Sequence, residues 1–347
     1  MDETEQIKKR RVRYKGTHPR RLEEKYKELN PAKYSEEISK VLNRGQTPAG
    51  THRPICVNEI LDFINPIPGQ LGLDATLGYG GHSQKLLERL MPKGKLYSID
   101  VDPIELPRTE KRLRDLGFDE HVLTIKRMNF AGVVQLVSEI GVSFDFIIAD
   151  LGVSSMQIDT PSRGFSYKLH GPLDLRLNPN RGIPASELLY STDEQTLAQI
   201  LTENSDEPLA NQIAAGIKAV AGRIETTTDL ANVIKNILYK HRQGVQKEVI
   251  RKTSQRVFQA LRIAVNDEFG VLNQFLTLLP ACLKSGGRVA ILTFHSGEDR
   301  LVKKSFQSGF RKGIYSDVAR EPVRPSFEEQ RANPRSASAK LRWAVRG

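Results

Sequence analysis

From Pro54 onward the chain alternates short apolar runs with stretches in which apolar residues recur every three to four positions. The runs at 71–75 (LGLDA), 95–100 (KLYSID), 121–126 (HVLTIK) and 144–150 (FDFIIAD) have the length of strands, and helical patterns fill 81–91, 103–116 and 131–140 between them. Strands alternating with helices predict βαβ units, and so a parallel sheet with helices on both faces.

Beyond Asp150 the alternation stops. Residues 151–184 read as loop, punctuated by Gly164, Gly171, Pro172, Pro179, Gly182 and Pro184. Residues 185–242 read as several helices, with SxxE and TxxD starts near Ser186 and Thr226. A long helical stretch at 254–284 then leads through a glycine pair into a strand at 288–294, a helix at 298–308 and a last strand at 340–346. The expected fold is α/β, a doubly wound, Rossmann-like domain interrupted by a helical subdomain. The expected boundaries are a basic N-terminal extension at 1–50, a main domain at 51–155 and 250–347, and a helical insertion at 156–249.

Charge sharpens this picture. The 347 residues carry 52 Lys and Arg against 41 Asp and Glu, a formal charge of +11. Three stretches concentrate it: 8–21 (KKRRVRYKGTHPRR), Arg300 to Lys312, and Arg331 to Arg346. Such clusters suit a polyanion, because each neutralised phosphate releases counterions. Solvated surface is the plainer alternative. No window reaches the length of a transmembrane span, and the start lacks the apolar core of a signal peptide, so a cytoplasmic location without membrane is expected. Cys56 and Cys282 form no CxxC pattern, and the seven histidines are scattered, so no metal site is expected.

The candidate chemistry gathers at strand ends. Asp74-Ala-Thr-Leu-Gly78-Tyr-Gly80-Gly81-His82 joins the first strand to the first helix, where glycines let a backbone approach a ligand closely. The second strand ends in Asp100, placed to accept both hydroxyls of a nucleoside ribose. The dinucleotide pattern fails because Ser83 stands where its third glycine belongs, which disfavours a nicotinamide oxidoreductase and favours a cofactor without phosphates, S-adenosylmethionine. Asp150 ends the fourth strand. In an open α/β sheet it converges with the glycine loop at the point where strand order reverses.

The blocks DATLGYGGHS, IDVDP, DLGVSSMQID, RGFSYKLHGPLDLRL, RVFQALRIAVNDE, GGRVAILTFHSGEDR and NPRSASAKLR, in that order over about 52–347, resemble the RsmH (MraW) family of 16S ribosomal RNA cytosine-N4 methyltransferases. The resemblance implies a class I methyltransferase fold with an RNA-recognising insertion, S-adenosylmethionine as cofactor, and 16S rRNA or the small ribosomal subunit as partner. It further implies that Gly80, Gly81 and His82 contact the cofactor, that Asp100 holds its ribose, and that Phe130, Asp150 and Gln157 complete the contacts. Two departures stand out. Gly297 interrupts the block Phe294-His295-Ser296-Gly297-Glu298-Asp299-Arg300, where it costs about 1 kcal/mol of helix propensity. The extension at 1–50 lies outside the family's usual short N-terminus.

An exocyclic amine is a poor nucleophile, and the N/D-P-P-Y/F motif of many amino-methyltransferases is replaced by DLGVSS. Asp150, or a carbonyl beside it, is expected to accept a hydrogen bond from the amine and align it. Ser154 and Ser155 stand with Arg163, Phe165 and Asp174 as candidate substrate contacts, the last three on a Gly/Pro-shaped loop beside which an extruded base can stack. Phe165 and Tyr167 anchoring that loop is the alternative. His295 either faces the pocket or caps the next helix. Methylation of DNA or protein, a non-catalytic ribosome-assembly factor, and a homodimeric assembly remain open at this point.

Overall fold

The computed structural model describes residues 54–241 and 244–347; the extension at 1–50 lies outside the described residues. Among them, one seven-stranded sheet has the order β3-β2-β1-β4-β5-β7-β6. The parallel strands are β1 (Leu71–Asp74), β2 (Lys95–Asp100), β3 (Leu123–Arg127), β4 (Phe144–Asp150) and β5 (Leu283–Thr293). β6 (Tyr315–Val318) and β7 (Lys340–Arg346) close one edge antiparallel, with β7 inserted between β5 and β6. The chain runs outward from β1 to β3 and returns to the other side of β1 as β4, so the order reverses between β1 and β4. Ligands of such sheets sit beyond the carboxyl ends at that crevice.

Side-chain alternation along the strands builds a core on each face. In β4, Phe144, Ile147 and Ala149 join one core with α4 (Val133–Ile140), α11 (Glu268–Cys282) and α12 (Ser296–Arg311). Phe146 and Ile148 point the other way, into a core with α1 (Val57–Ile64), α2 (Gly81–Leu90) and α3 (Glu105–Asp115). A third core belongs to the insertion. It packs α6 (Ala185–Ser191), α7 (Glu194–Ser205), α8 (Ala210–Lys218) and α9 (Thr227–His241) against α10 (Lys247–Asn266), and continues through Leu261. The short α5 (Ser155–Asp159) leads from β4 towards it.

Each strand and helix expected before residue 150 is present, shifted by two residues or fewer at most ends. Three differences follow it. The stretch expected as one helix at 254–284 is two, because Asp267 takes a left-handed conformation (φ 48°) that breaks the hydrogen-bond ladder between α10 and α11. β5 starts at Leu283 rather than 288, carrying the glycine pair inside the strand with a register irregularity opposite Phe144–Phe146. β6 and α13 (Phe327–Ala332) were not expected, since four and six residues show no period of their own.

Candidate cofactor and substrate site

The loop after β1 is held from several sides. Asp74, 1% exposed, accepts from Ser83 Oγ at 2.7 Å and from Thr76 N at 3.0 Å. Leu77 N donates to Ile99 O of β2 at 2.9 Å. From α3, Thr109 Oγ1 donates to Gly78 O at 2.7 Å, while Arg112 donates to Tyr79 O at 2.6 Å and lies 4.5 Å over the Tyr79 ring. Gly80 adopts φ 76°, and a Cβ there would stand 2.9 Å from Thr109 Cγ2. The turn therefore requires glycine for its backbone and for its packing.

Asp100 closes the ring of contacts. Its Oδ2 accepts from Gly78 N at 2.7 Å and its Oδ1 from Asp102 N at 2.9 Å, leaving one lone pair on each oxygen for a diol. Burial pushes its carboxyl up to about 6 against the pull of these two N–H groups, with Asp102 and Asp74 adding to the rise.

Asp150 lies on the other side of β1, at the end of β4. Its N donates to Thr76 Oγ1 at 2.6 Å, so the glycine loop and the β4 terminus are tied directly. Its carboxylate is less well served: Oδ1 is buried without a hydrogen-bond partner, and Oδ2 stands 3.5 Å from His82 Nδ1. An unpaired buried carboxylate oxygen is costly, and the exposure that the side chain keeps leaves Oδ2 as the oxygen a reacting group can reach. Burial pushes the Asp150 carboxyl up to about 6; the His82 ring opposes this, and Asp74 and Glu298 reinforce it. The His82 ring is itself buried, with Nε2 at 3.0 Å from Ile55 O.

The other candidates divide by what already occupies them. Phe130, half-buried, follows β3 and meets Phe275 edge to face at 5.1 Å. Gln157 is buried with both amide ends bonded, Oε1 accepting from Ser154 N and Nε2 donating to Asp102 Oδ2 at 2.7 Å. Ser154 caps α5 by accepting from Gln157 N, and Ser155 begins that helix, half-buried. Arg163 is 6% exposed; it donates to Asp102 Oδ2 at 2.7 Å and to the carbonyls of Arg176 and Leu177. Phe165, 8% exposed, packs into the insertion core. Asp174 is held by two 2.8 Å bonds from Arg176. Arg163 and Phe165 thus sit inside the protein, where they shape the loop, and neither presents a free face to a base.

Sequence reasoning passed over Asp102. It is 1% exposed and accepts from Gln157, Arg163, Ile104 N and Glu105 N, joining the end of β2 to the loop that opens the insertion. The only signal was a second acid at D-x-D-P. His295 caps α12 by accepting from Glu298 N, and its ring lies 3.2 Å from Glu298 Oε1. Glu268, His295 and Glu298 bring ligand-type atoms within 4.8 Å of one another, and Arg262 grips Glu268 by two bonds of 2.8 Å. Gly297 has a packing reason, since a Cβ there would stand 2.5 Å from the Phe269 ring. The basic stretches also separate. Lys340 and Arg342 are joined to Asp299, and Arg335 to Asp159. Lys303, Lys304, Arg311 and Lys312 are exposed on α12 and its end, with no ion pair among the described residues.

Residues 49–346 match the model of the MraW methylase family. A ribosomal RNA small subunit methyltransferase H 2 of Alkaliphilus metalliredigens is 56% identical over all of both chains. A methyltransferase H 1 of Lachnoclostridium phytofermentans is 56% identical over 99% of this chain and 94% of its own. A methyltransferase H of Hydrogenovibrio crunogenus is 38% identical over 87% of this chain and 98% of its own.

Proposed function

The chain belongs to the MraW methylase family, and from that premise we propose that it transfers a methyl group from S-adenosylmethionine to the N4 amine of a cytosine in 16S ribosomal RNA. The observation that carries the reading is full-length 56% identity to a small-subunit RNA methyltransferase, matched by a strand-end site whose open valences fit such a reaction. S-adenosylmethionine fits the residues present: the Gly78–Gly81 turn gives close backbone access, Asp100 keeps two acceptor positions for a ribose, and Phe130 beyond β3 keeps part of its ring exposed. Bound there, the cofactor would supply a sulfonium methyl group, its sulfur keeping the bonding pair.

The chain's own contribution is positioning. Asp150 accepts a hydrogen bond from the cytosine amine, favouring a pyramidal nitrogen directed at the methyl group. Fixing such geometry supplies roughly 7–11 kcal/mol in ideal cases. The helical insertion, read at 156–249 with its core carried on by α10, recognises the RNA and admits the extruded base. The enzyme acts in the cytoplasm on 16S rRNA or the small subunit, as a monomer or homodimer that light scattering distinguishes. The direct test is mass spectrometry of small-subunit RNA from cells with and without the gene. Loss of one methyl group from one cytidine is expected. An unchanged modification map would overturn the reading.

A further inference from the structure

The His82 ring has a second use in the geometry of the site. Ile55 O is a carbonyl and only accepts, so the 3.0 Å contact requires a proton on His82 Nε2. In the neutral ring this leaves Nδ1 as a lone pair, and that lone pair is the nitrogen 3.5 Å from Asp150 Oδ2. Asp150 Oδ1 is buried, while the Asp150 side chain as a whole keeps 30% exposure. The accessible side of the carboxyl is therefore the side that His82 faces. Both ring nitrogens are accounted for by protein groups, so the imidazole is aimed at Asp150.

We infer that His82 is the proton acceptor behind Asp150: the proton shed by the methylated amine passes to Asp150 Oδ2 and on to His82 Nδ1. The inference rests on the methyl-transfer reading above and deepens it. The balance is simple. The nitrogen–methyl bond forms with the amine lone pair, the cationic nitrogen loses one N–H proton, and its bonding pair stays on nitrogen as the neutral methylated amine. The proton ends on the ring, which becomes an imidazolium held between Ile55 O and the restored Asp150 carboxylate. His82 acts through Asp150 and is a positioning residue in that sense.

The surroundings of the pair are acidic. Asp74 faces the His82 ring from β1; burial pushes its carboxyl up, while Ser83, the His82 ring and Thr76 pull it back down. Glu298 faces Asp150 from α12, and Cys56, at the start of α1, also faces it; burial pushes the Cys56 thiol far up, so it stays neutral. Both of these carboxylates have protein partners of their own. Asp74 is occupied by Ser83 and Thr76 N, and Glu298 accepts from Phe294 N beside His295.

The test compares wild type with His82→Gln, whose amide can still donate to Ile55 O but cannot accept a proton at this acidity. Single-turnover methylation of small-subunit RNA is followed against pH at saturating cofactor. In His82→Gln the rate should drop by roughly 10²-fold and the shape of the pH profile should change. Retention of the wild-type rate and profile would overturn the inference. A second measurement needs neither turnover nor a folded His82 variant: NMR of the His82 ring nitrogens in ligand-free protein, against Asp150→Asn. The Nδ1 resonance should move once the carboxylate beside it is gone, and an unmoved resonance would overturn the pairing. A wild-type protein that methylates no small-subunit RNA would sink the proposed function instead, and the ring resonances would still stand as a reading of the pair.

Discussion

Replacing Arg163 by methionine tests whether this residue serves the fold or the RNA. The guanidinium joins Asp102 at 2.7 Å, with side chains 6% and 1% exposed, and also donates to two loop carbonyls. Removing one partner of a buried ion pair costs about 3–5 kcal/mol, because the remaining charge is left in a poor dielectric. Asp102 would keep Gln157 Nε2 and the N–H groups of Ile104 and Glu105, which places the expected loss near the lower end, about 3 kcal/mol. The assay is urea unfolding followed by circular dichroism, with Lys111→Met as a control, since its pair with Asp115 is 77% and 64% exposed and its loss should hardly move the midpoint. Asp102→Asn combined with Arg163→Met should cost clearly less than the two singles added, the mark of a shared interaction. An Arg163→Met midpoint matching wild type, together with a large loss of RNA affinity, would refute the reasoning and return Arg163 to the substrate surface.

Other outcomes follow from the same geometry. Gly80→Ala forces a left-handed backbone and a 2.9 Å contact with Thr109; it should cost about 1–2 kcal/mol in unfolding experiments and weaken S-adenosylmethionine binding in calorimetry. Asp100 binds the ribose as a carboxylate, and its carboxyl is pushed up to about 6, so affinity should be full above that value and fall roughly tenfold from pH 7 to pH 5. In Asp100→Asn that dependence should vanish, and a persisting one would assign it to another group. Lys303→Ala with Lys304→Ala should lower the slope of log affinity for RNA against log salt by about 1.5, whereas Lys340→Ala, already paired with Asp299, should leave it near the wild-type value.

The strands up to Asp150, the glycine turn, Asp100 and Asp150 were all legible in the chain, because each is announced locally. Alternation of apolar runs reveals strands, and an acid or glycine just past a run reveals a strand end. β6 and the break at Asp267 were not, since one is too short for a period and the other depends on a backbone conformation that no glycine signals. The roles of side chains were the least visible. Arg163 reads as an RNA contact in sequence and becomes a buried tie only when Asp102, 61 positions away, comes within 2.7 Å. His82 reads as part of a cofactor loop, yet its ring direction is decided by Ile55, 27 positions earlier, and by the end of β4. The second and third basic stretches look alike in composition; Asp299 pairs with Lys340 and Arg342 of the third because β7 returns beside β5, while the exposed lysines of α12 keep no such partner among the described residues. Local sequence sets the elements and the residues at their ends through backbone sterics and burial period. Which groups meet is set by the packing of segments distant in the chain, and there charge and hydrogen-bond partners are chosen by proximity alone.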